Sequence, residues 1–233
     1  MTALGRLSLV CLMGLLTGCA SATAGAPPPL VGLQENVAAS FRVDIVDYGH
    51  GSGTVINHEG YILTAYHVAK GHHYIGLALD DGGPYPLTYI AEVVATDEKS
   101  DLAVIKIDRH FDYAATIASV EEMQVGAPIY SGGYPGHFGQ MVHRGAIAEL
   151  NYAPPKSSNQ TYAGTMLVDF NIGPGDSGGG VFSATSGHLI GVAKGMVGRE
   201  IGGPWIIYPV CIQVNKIRAF LDAHSIPYNE PQP

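Results

Sequence analysis

The sequence predicts an all-β protein: two packed barrels finished by a single C-terminal helix. Three observations lead there. Short apolar runs recur down the chain at strand length, many alternating apolar and polar residues as a half-buried strand does. The gaps between them are filled from a stock of 31 Gly and 15 Pro in 233 residues, the punctuation of many turns. Helical spacing of apolar residues is clear only near the end.

In order, Phe41–Val46 alternates and reads as the first strand. Gly53–Ile56 and Tyr61–Thr64 flank Asn57-His58-Glu59-Gly60, a good hairpin turn. Further strands are expected at Tyr74–Leu79, Leu87–Ala95, Leu102–Ile107, Pro128–Ser131, Gly145–Leu150, Met166–Phe170, Gly180–Ser183 and Leu189–Ala193. Gln213–Ala223 is the helix: Val214, Ile217 and Leu221 recur at its period, Phe220 widens the face, and Pro227 bars continuation. The folded domain is expected over residues 37–224, with an N-terminal barrel over 37–122, a second over 123–212, a seam near Glu121–Gln124, the helix over 213–223 and a tail over 225–233.

Composition removes several function classes. The net charge is −8 and the twelve basic residues are scattered, so no basic stripe is available for phosphates and nucleic acid is not an expected partner. The chain opens with Arg6 and a short apolar run, Leu7–Leu16, too short to span a bilayer and of signal-peptide type. That run ends in Leu16-Thr17-Gly18-Cys19, which resembles the bacterial lipobox. The resemblance implies removal of residues 1–18, a lipid on Cys19 and a Pro-rich tether over 19–36 holding the protein at a membrane. Ala20-Ser21-Ala22 and Ala24-Gly25-Ala26 offer an ordinary secretory cleavage as the alternative. Cys211 then remains alone, in the apolar run Val210-Cys211-Ile212, and reads as a small buried hydrophobe.

Three stretches carry chemistry. Gly173-Pro174-Gly175-Asp176-Ser177-Gly178-Gly179-Gly180 puts a serine in a glycine-rich turn. A serine hydroxyl needs a base to take its proton and donors to hold the developing oxyanion, and glycines let backbone amides approach closely enough to be those donors. Tyr61–Val68 delivers His67 at the end of an apolar strand. Ser100–Ile105 delivers Asp101 just before a buried one, where a carboxylate could orient the imidazole. Singly, each has a dull reading as a surface turn, a core-edge histidine or a strand cap. Together, their order is the His, Asp, Ser of the chymotrypsin template, which is a worked example of triad chemistry.

Gly51-Ser52-Gly53-Thr54-Val55-Ile56, Leu63–Val68, Ser100–Ile105 and Gly175–Gly179 resemble the successive motifs of trypsin-like peptidases, and the bacterial HtrA/Deg branch most of all. Val125-Gly126, Tyr134-Pro135-Gly136 and Gly145-Ala146-Ile147 resemble that branch too. The resemblance spans roughly Val37 to Ala223. It implies two six-stranded antiparallel barrels of chymotrypsin-like type, His67 as general base, Asp101 as its orienter and Ser177 as nucleophile. The Gly175 and Ser177 amides would be the oxyanion hole, the substrates proteins or peptides, and no cofactor or metal is called for. The S1 floor would be Asn171 and its wall Ala193, Lys194 and Gly195, facing Tyr208–Val210, which disfavours a basic P1 side chain.

There are departures from the pattern. HtrA proteins append PDZ domains, whereas ten residues follow Ala223 here, so none is expected. Asp176 stands where the envelope branch often has asparagine. In the digestive enzymes that aspartate pairs with a new N-terminal ammonium, and Leu30-Val31-Gly32-Leu33 is only a faint match to such an end. The other histidines, His50, His58, His137 and His143 and the adjacent His72-His73, lack metal-ligand spacing and read as turn residues. Two other readings stand beside the peptidase. One is an inactive protease-like binding protein. The other is an α/β-hydrolase built on G-x-S-x-G with Asp222 and His224, which would need a helix straight after the serine.

Overall fold

The computed structural model describes residues 28–45, 49–79, 87–136, 138–156, 158, 160–200, 202–203 and 205–232. The expected leader and Cys19 lie outside them. Twelve strands close two antiparallel barrels, β1-β2-β3-β6-β5-β4 and β10-β11-β12-β9-β8-β7, as the sequence led us to expect.

The first barrel comprises β1 (Ser40–Ile45), β2 (Gly49–Val55), β3 (Tyr61–Ala65), β4 (Tyr74–Leu79), β5 (Leu87–Asp97) and β6 (Leu102–Lys106). The hairpin at residues 57–60 pairs Thr54 with Leu63 and Val55 with Ile62. It turns through Gly60 at φ +91°, where a Cβ would stand 2.2 Å from the Ile107 carbonyl, so only glycine fits. Successive side chains of a strand face opposite ways, and β6 uses both faces. Ala103 and Ile105 fill the lumen with Phe41, Val43, Val55, Ile62 and Leu77. Leu102 and Val104 face the other way, into a core shared with the second barrel.

The second barrel comprises β7 (Pro128–Gly133), β8 (Met141–Tyr152), β9 (Thr165–Val168), β10 (Gly180–Ser183), β11 (Leu189–Glu200) and β12 (Trp205–Gln213). Helix α3 (Val214–Ala223) buries Val214, Ile217, Phe220 and Leu221 on the shared core. The segment after it is bonded to the end of β2 and to the connection between the barrels: the Asn229 N–H donates to the Ile56 carbonyl, and the Asn229 carbonyl accepts from Ile117. Cys211 is wholly buried, and burial pushes its thiol up to about 12.

Two helices escaped the sequence reading. α1 (Leu33–Ala38) docks by Asn36, whose Nδ2 donates at 2.7 Å to both Tyr130 Oη and the Gly187 carbonyl. α2 (Tyr66–Ala69) is a single turn directly after β3. The α/β-hydrolase reading fails on the fold, because Gly178–Gly180 run into strand β10 and not into a helix. Asp222 and His224 are occupied locally, by Tyr228 Oη and the Phe220 carbonyl.

Candidate active site

His67 reaches the cleft from α2 and Asp101 from the turn before β6. That turn is tied by Asp97, which accepts from the Lys99 and Ser100 amides and the Ser100 hydroxyl. It leaves Asp101 at φ +61°, a left-handed conformation that short polar residues adopt more readily than others. The Asp101 carbonyl accepts from the Tyr66 amide at 3.0 Å, so turn and helix are locked together.

The Asp101 carboxylate then holds His67 twice. Oδ1 accepts the His67 backbone N–H at 3.0 Å, and the ring Nδ1 lies 3.1 and 3.0 Å from Oδ1 and Oδ2. A carboxylate only accepts, so Nδ1 carries the hydrogen, and in the neutral ring Nε2 is the nitrogen with the lone pair. The His67 side chain is 43% exposed against 10% for Asp101, an open ring on a buried carboxylate. Burial pushes the Asp101 carboxyl up. The hydrogen bond and charge of His67, its backbone N–H and the Lys194 ammonium outweigh that and hold it below the ordinary carboxylate range.

Ser177 is brought to the same place from the second barrel. Its carbonyl accepts from Ser52 N–H at 2.7 Å. At Gly51 a Cβ would stand 2.7 Å from both Val68 methyls and 2.9 Å from the Ser177 carbonyl, so α2 and the serine turn converge on that glycine. The turn is clasped on its far side by β11, with Gly178 N–H donating to the Ala193 carbonyl and Ala193 N–H to Gly179. Among the described residues the His67–Asp101 bond is formed, while the half-buried Ser177 hydroxyl has no hydrogen bond.

The backbone around Gly175 is held at both ends. Gly136 N–H donates to the Pro174 carbonyl at 2.6 Å, and the N–H of a trans peptide points opposite its carbonyl, so Gly175 N–H is turned away from Gly136. Ser52 Oγ donates to the Gly175 carbonyl at 2.7 Å and accepts Tyr134 N–H at 3.0 Å. Gly175 sits at φ +105° with a virtual Cβ 2.2 Å from the Tyr134 carbonyl, a position closed to any side chain. Among the described residues neither the Gly175 nor the Ser177 amide has an internal acceptor.

Asp176 faces inward, 4% exposed, with His143 Nε2 at 3.7 Å from Oδ2 and the Gly173 amide donating at 2.8 Å. Burial pushes its carboxyl up against the pull of Gly173, His143 and His50. The Val31 amide is meanwhile bonded to the Ala184 carbonyl. His143 is 16% exposed, and His50 Nε2 donates to the Tyr134 carbonyl, so these are not solvated turn histidines. Neither contact has a local signal in the chain, because His50 and Tyr134 lie 84 residues apart. Of the pocket residues expected, Asn171 is exposed, Ala193 is buried, and Gly195 lies against the Tyr162 hydroxyl. Lys194 turns its ammonium to Asp101 Oδ2 at 3.6 Å and donates to the Thr161 carbonyl at 3.0 Å.

Comparison with known proteins gives a consistent picture. Residues 51–192 match the trypsin-like peptidase domain. The chain is 32% identical over 164 residues to a Halomonas elongata protein described as "Probable periplasmic serine endoprotease DegP-like", and 30% identical to its namesake in Pseudomonas savastanoi. Each match covers 70% of this chain but 33% of the relative, so the chain spans about a third of the length of these curated relatives. Among solved structures, the HtrA-type protease AlgW with a tripeptide superposes at TM-score 0.69 and 27% identity, covering 84% of this chain and 62% of that one. Deg5, at TM-score 0.65 and 21% identity, covers 85% and 94% and shares the fold.

Proposed function

Because the chain belongs to the trypsin-like peptidase family, we propose that it is a serine endopeptidase of the bacterial cell envelope, working through an acyl-enzyme on Ser177. The observation that carries the reading is the His67–Asp101 pair, with Nε2 left bare, set beside a serine turn whose Gly175 and Ser177 amides are unspent. On substrate arrival the Ser177 hydroxyl turns to His67, gives its proton to Nε2 and attacks the scissile carbonyl carbon. The two amides receive the oxyanion, and the imidazolium passes its proton to the departing amine. Water then repeats the sequence on the acyl-enzyme. Asp101 keeps the ring in the tautomer that makes this possible.

The relatives described as periplasmic support an envelope location, and the lipobox at Cys19 supports a lipid anchor. Among the described residues no helix is long and apolar enough to cross a membrane. Asn171, Ala193 and Gly195 are the proposed pocket residues, with the Lys194 backbone in the wall and its ammonium engaged by Asp101. An uncharged pocket suits small and medium apolar P1 side chains and leaves a buried Arg or Lys without a partner, which costs several kcal/mol.

One experiment tests the catalytic reading: cleavage of a peptide library by wild-type and Ser177→Ala protein, alongside labelling by a fluorophosphonate. Wild type is expected to be labelled at Ser177 and to cut after Val, Ala or Leu at least about tenfold faster than after Arg or Lys. The alanine variant is expected to lose on the order of 10⁶ in kcat, as triad deletions do. Absence of labelling and cleavage in wild type would leave an inactive protease-like binding protein in its place.

A further inference from the structure

Lys194 is the most unusual neighbour of the site. Its side chain is 8% exposed and its Nζ lies 3.6 Å from Asp101 Oδ2, on a carboxylate already hydrogen-bonded to His67. The ammonium is fixed from two further directions, by the Thr161 carbonyl at 3.0 Å and by the face of Tyr162, 5.6 Å from the ring centroid. The backbone is arranged to put it there. β11 pairs Ala193 with Cys211 and Gly195 with Val210, so Lys194 is the extra residue of a bulge. A bulge re-aims a side chain that regular alternation would send elsewhere. A long cationic side chain does not become this buried next to a triad carboxylate without consequence for the third charge of the set, the imidazolium that forms on His67.

We propose that Lys194 is a positioning residue of the triad: a buried cation that offsets the Asp101 charge, so that His67 sheds its proton and serves as a neutral base at lower pH than an unescorted His–Asp pair would allow. The proposal rests on the peptidase reading. Asp101 stabilises a proton on His67 by its negative charge, and a positive charge on the same carboxylate, 3.6 Å from the Oδ2 that also faces the ring, weakens that hold. The other groups facing His67 do not substitute for it. Lys70 and Glu98, at the rim, are paired with each other at 3.6 Å and are 61% and 74% exposed. Tyr66 and Tyr162 present neutral rings to the cleft. His50, on β2, is turned to the Tyr134 carbonyl and Asp176. Lys194 is therefore the one buried cation bearing on the His67–Asp101 pair among the described residues.

The test separates this role from simple packing and from the peptidase reading itself. In the full chain carrying Ser177→Ala, the His67 ring is titrated by NMR with Lys194, Lys194→Met, Lys194→Gln and Lys194→Arg. The Met and Gln variants are expected to titrate about one pH unit higher than the parent, and the Arg variant to stay with it. Gln keeps a donor for Thr161, which guards against loss of fold in the Met variant. In protein with Ser177 intact, the acid limb of kcat/KM is expected to move up in parallel. A ring titration unmoved in both neutral variants, or an acid limb that stays in place, overturns the proposal. Wild type that cleaves nothing overturns the peptidase reading instead, and the ring titration still decides whether Lys194 governs His67.

Discussion

Ser52→Ala removes one oxygen atom and should damage both stability and turnover. Ser52 is fully buried, and its hydroxyl bridges two backbone groups that cannot reach water: it accepts Tyr134 N–H at 3.0 Å and donates to the Gly175 carbonyl at 2.7 Å. Alanine keeps the Cβ and the backbone bond from Ser52 to the Ser177 carbonyl, so the loss is confined to the bridge. An orphaned buried polar group costs about 1–3 kcal/mol, and two are created, with relaxation recovering part. The expected destabilisation is about 2–4 kcal/mol, or roughly 5–12 °C in Tm for a domain of this size. Gly175 also loses the bond that holds its carbonyl, and its N–H, in the preceding peptide unit, is half of the proposed oxyanion hole. A missing oxyanion donor costs about 10²–10³ in kcat, so a loosened one should cost about tenfold or more, with KM little changed. Urea unfolding followed by tryptophan fluorescence, and steady-state kinetics on the best library peptide, measure the two effects. A variant that unfolds at the wild-type urea concentration and turns over at the wild-type rate would refute both the bridge and its assigned purpose.

Two further outcomes are expected. Burial holds the proton on Asp176 more tightly in the folded than in the unfolded chain, so its contribution to stability is complete below the ordinary carboxylate range and is lost as pH rises through the raised value. Asp176→Asn should therefore match wild type in acid and become the more stable protein toward neutral pH, as Tm across a pH series would show; a variant less stable than wild type at neutral pH would contradict this. Cys19→Ala should abolish incorporation of labelled fatty acid, whereas wild type that is wholly soluble, with its N-terminus near Ala24, would favour the ordinary secretory cleavage.

The strands were legible wherever a local pattern carried them. Tyr74–Leu79 and Gly180–Ser183 fall on the observed β4 and β10, and the turn at Gly60 was announced by its residues. β12 was missed because Pro209 interrupts the run Ile206–Cys211. In the fold Pro209 sits opposite Met196 on β11, and β9 takes up pairing only at Val210 and Cys211, so the missing N–H is not called upon. Helix α2 was missed because one turn of four residues, without a side-chain cap, leaves no period to read. Of the site, the positions that resemble family motifs could be named. The contacts that hold them could not: Ser52 to Gly175 spans 123 residues and Asn36 to Gly187 spans 151. Nor does anything local in Val192–Met196 foretell the bulge that sends Lys194 to Asp101.

The Ser52 and Lys194 contacts share one property, which is that they cross between the barrels, one in each direction. The first barrel supplies His67 and Asp101 and also reaches over to the serine turn. Ser52 binds the Ser177 and Gly175 carbonyls, and the first barrel crowds Gly178 so closely that a Cβ there would lie 2.2 Å from the Ser52 carbonyl and 2.3 Å from the Thr64 hydroxyl. The second barrel supplies Ser177 and reaches back to the base pair of residues, with Lys194 on Asp101. Each half of the proposed triad is thus held partly by the barrel that does not carry it. A slip of one barrel against the other would loosen the oxyanion turn and the Asp101 charge balance before it disrupted either barrel's own hydrogen-bond ladder. Leu63, Leu102 and Val104 of the first barrel pack in one core with Val181, Phe182 and Leu189 of the second, and that core opposes such a slip. Geometry at the proposed triad is accordingly a property of the interface between barrels, and apolar truncations along it should lower kcat together with the unfolding midpoint.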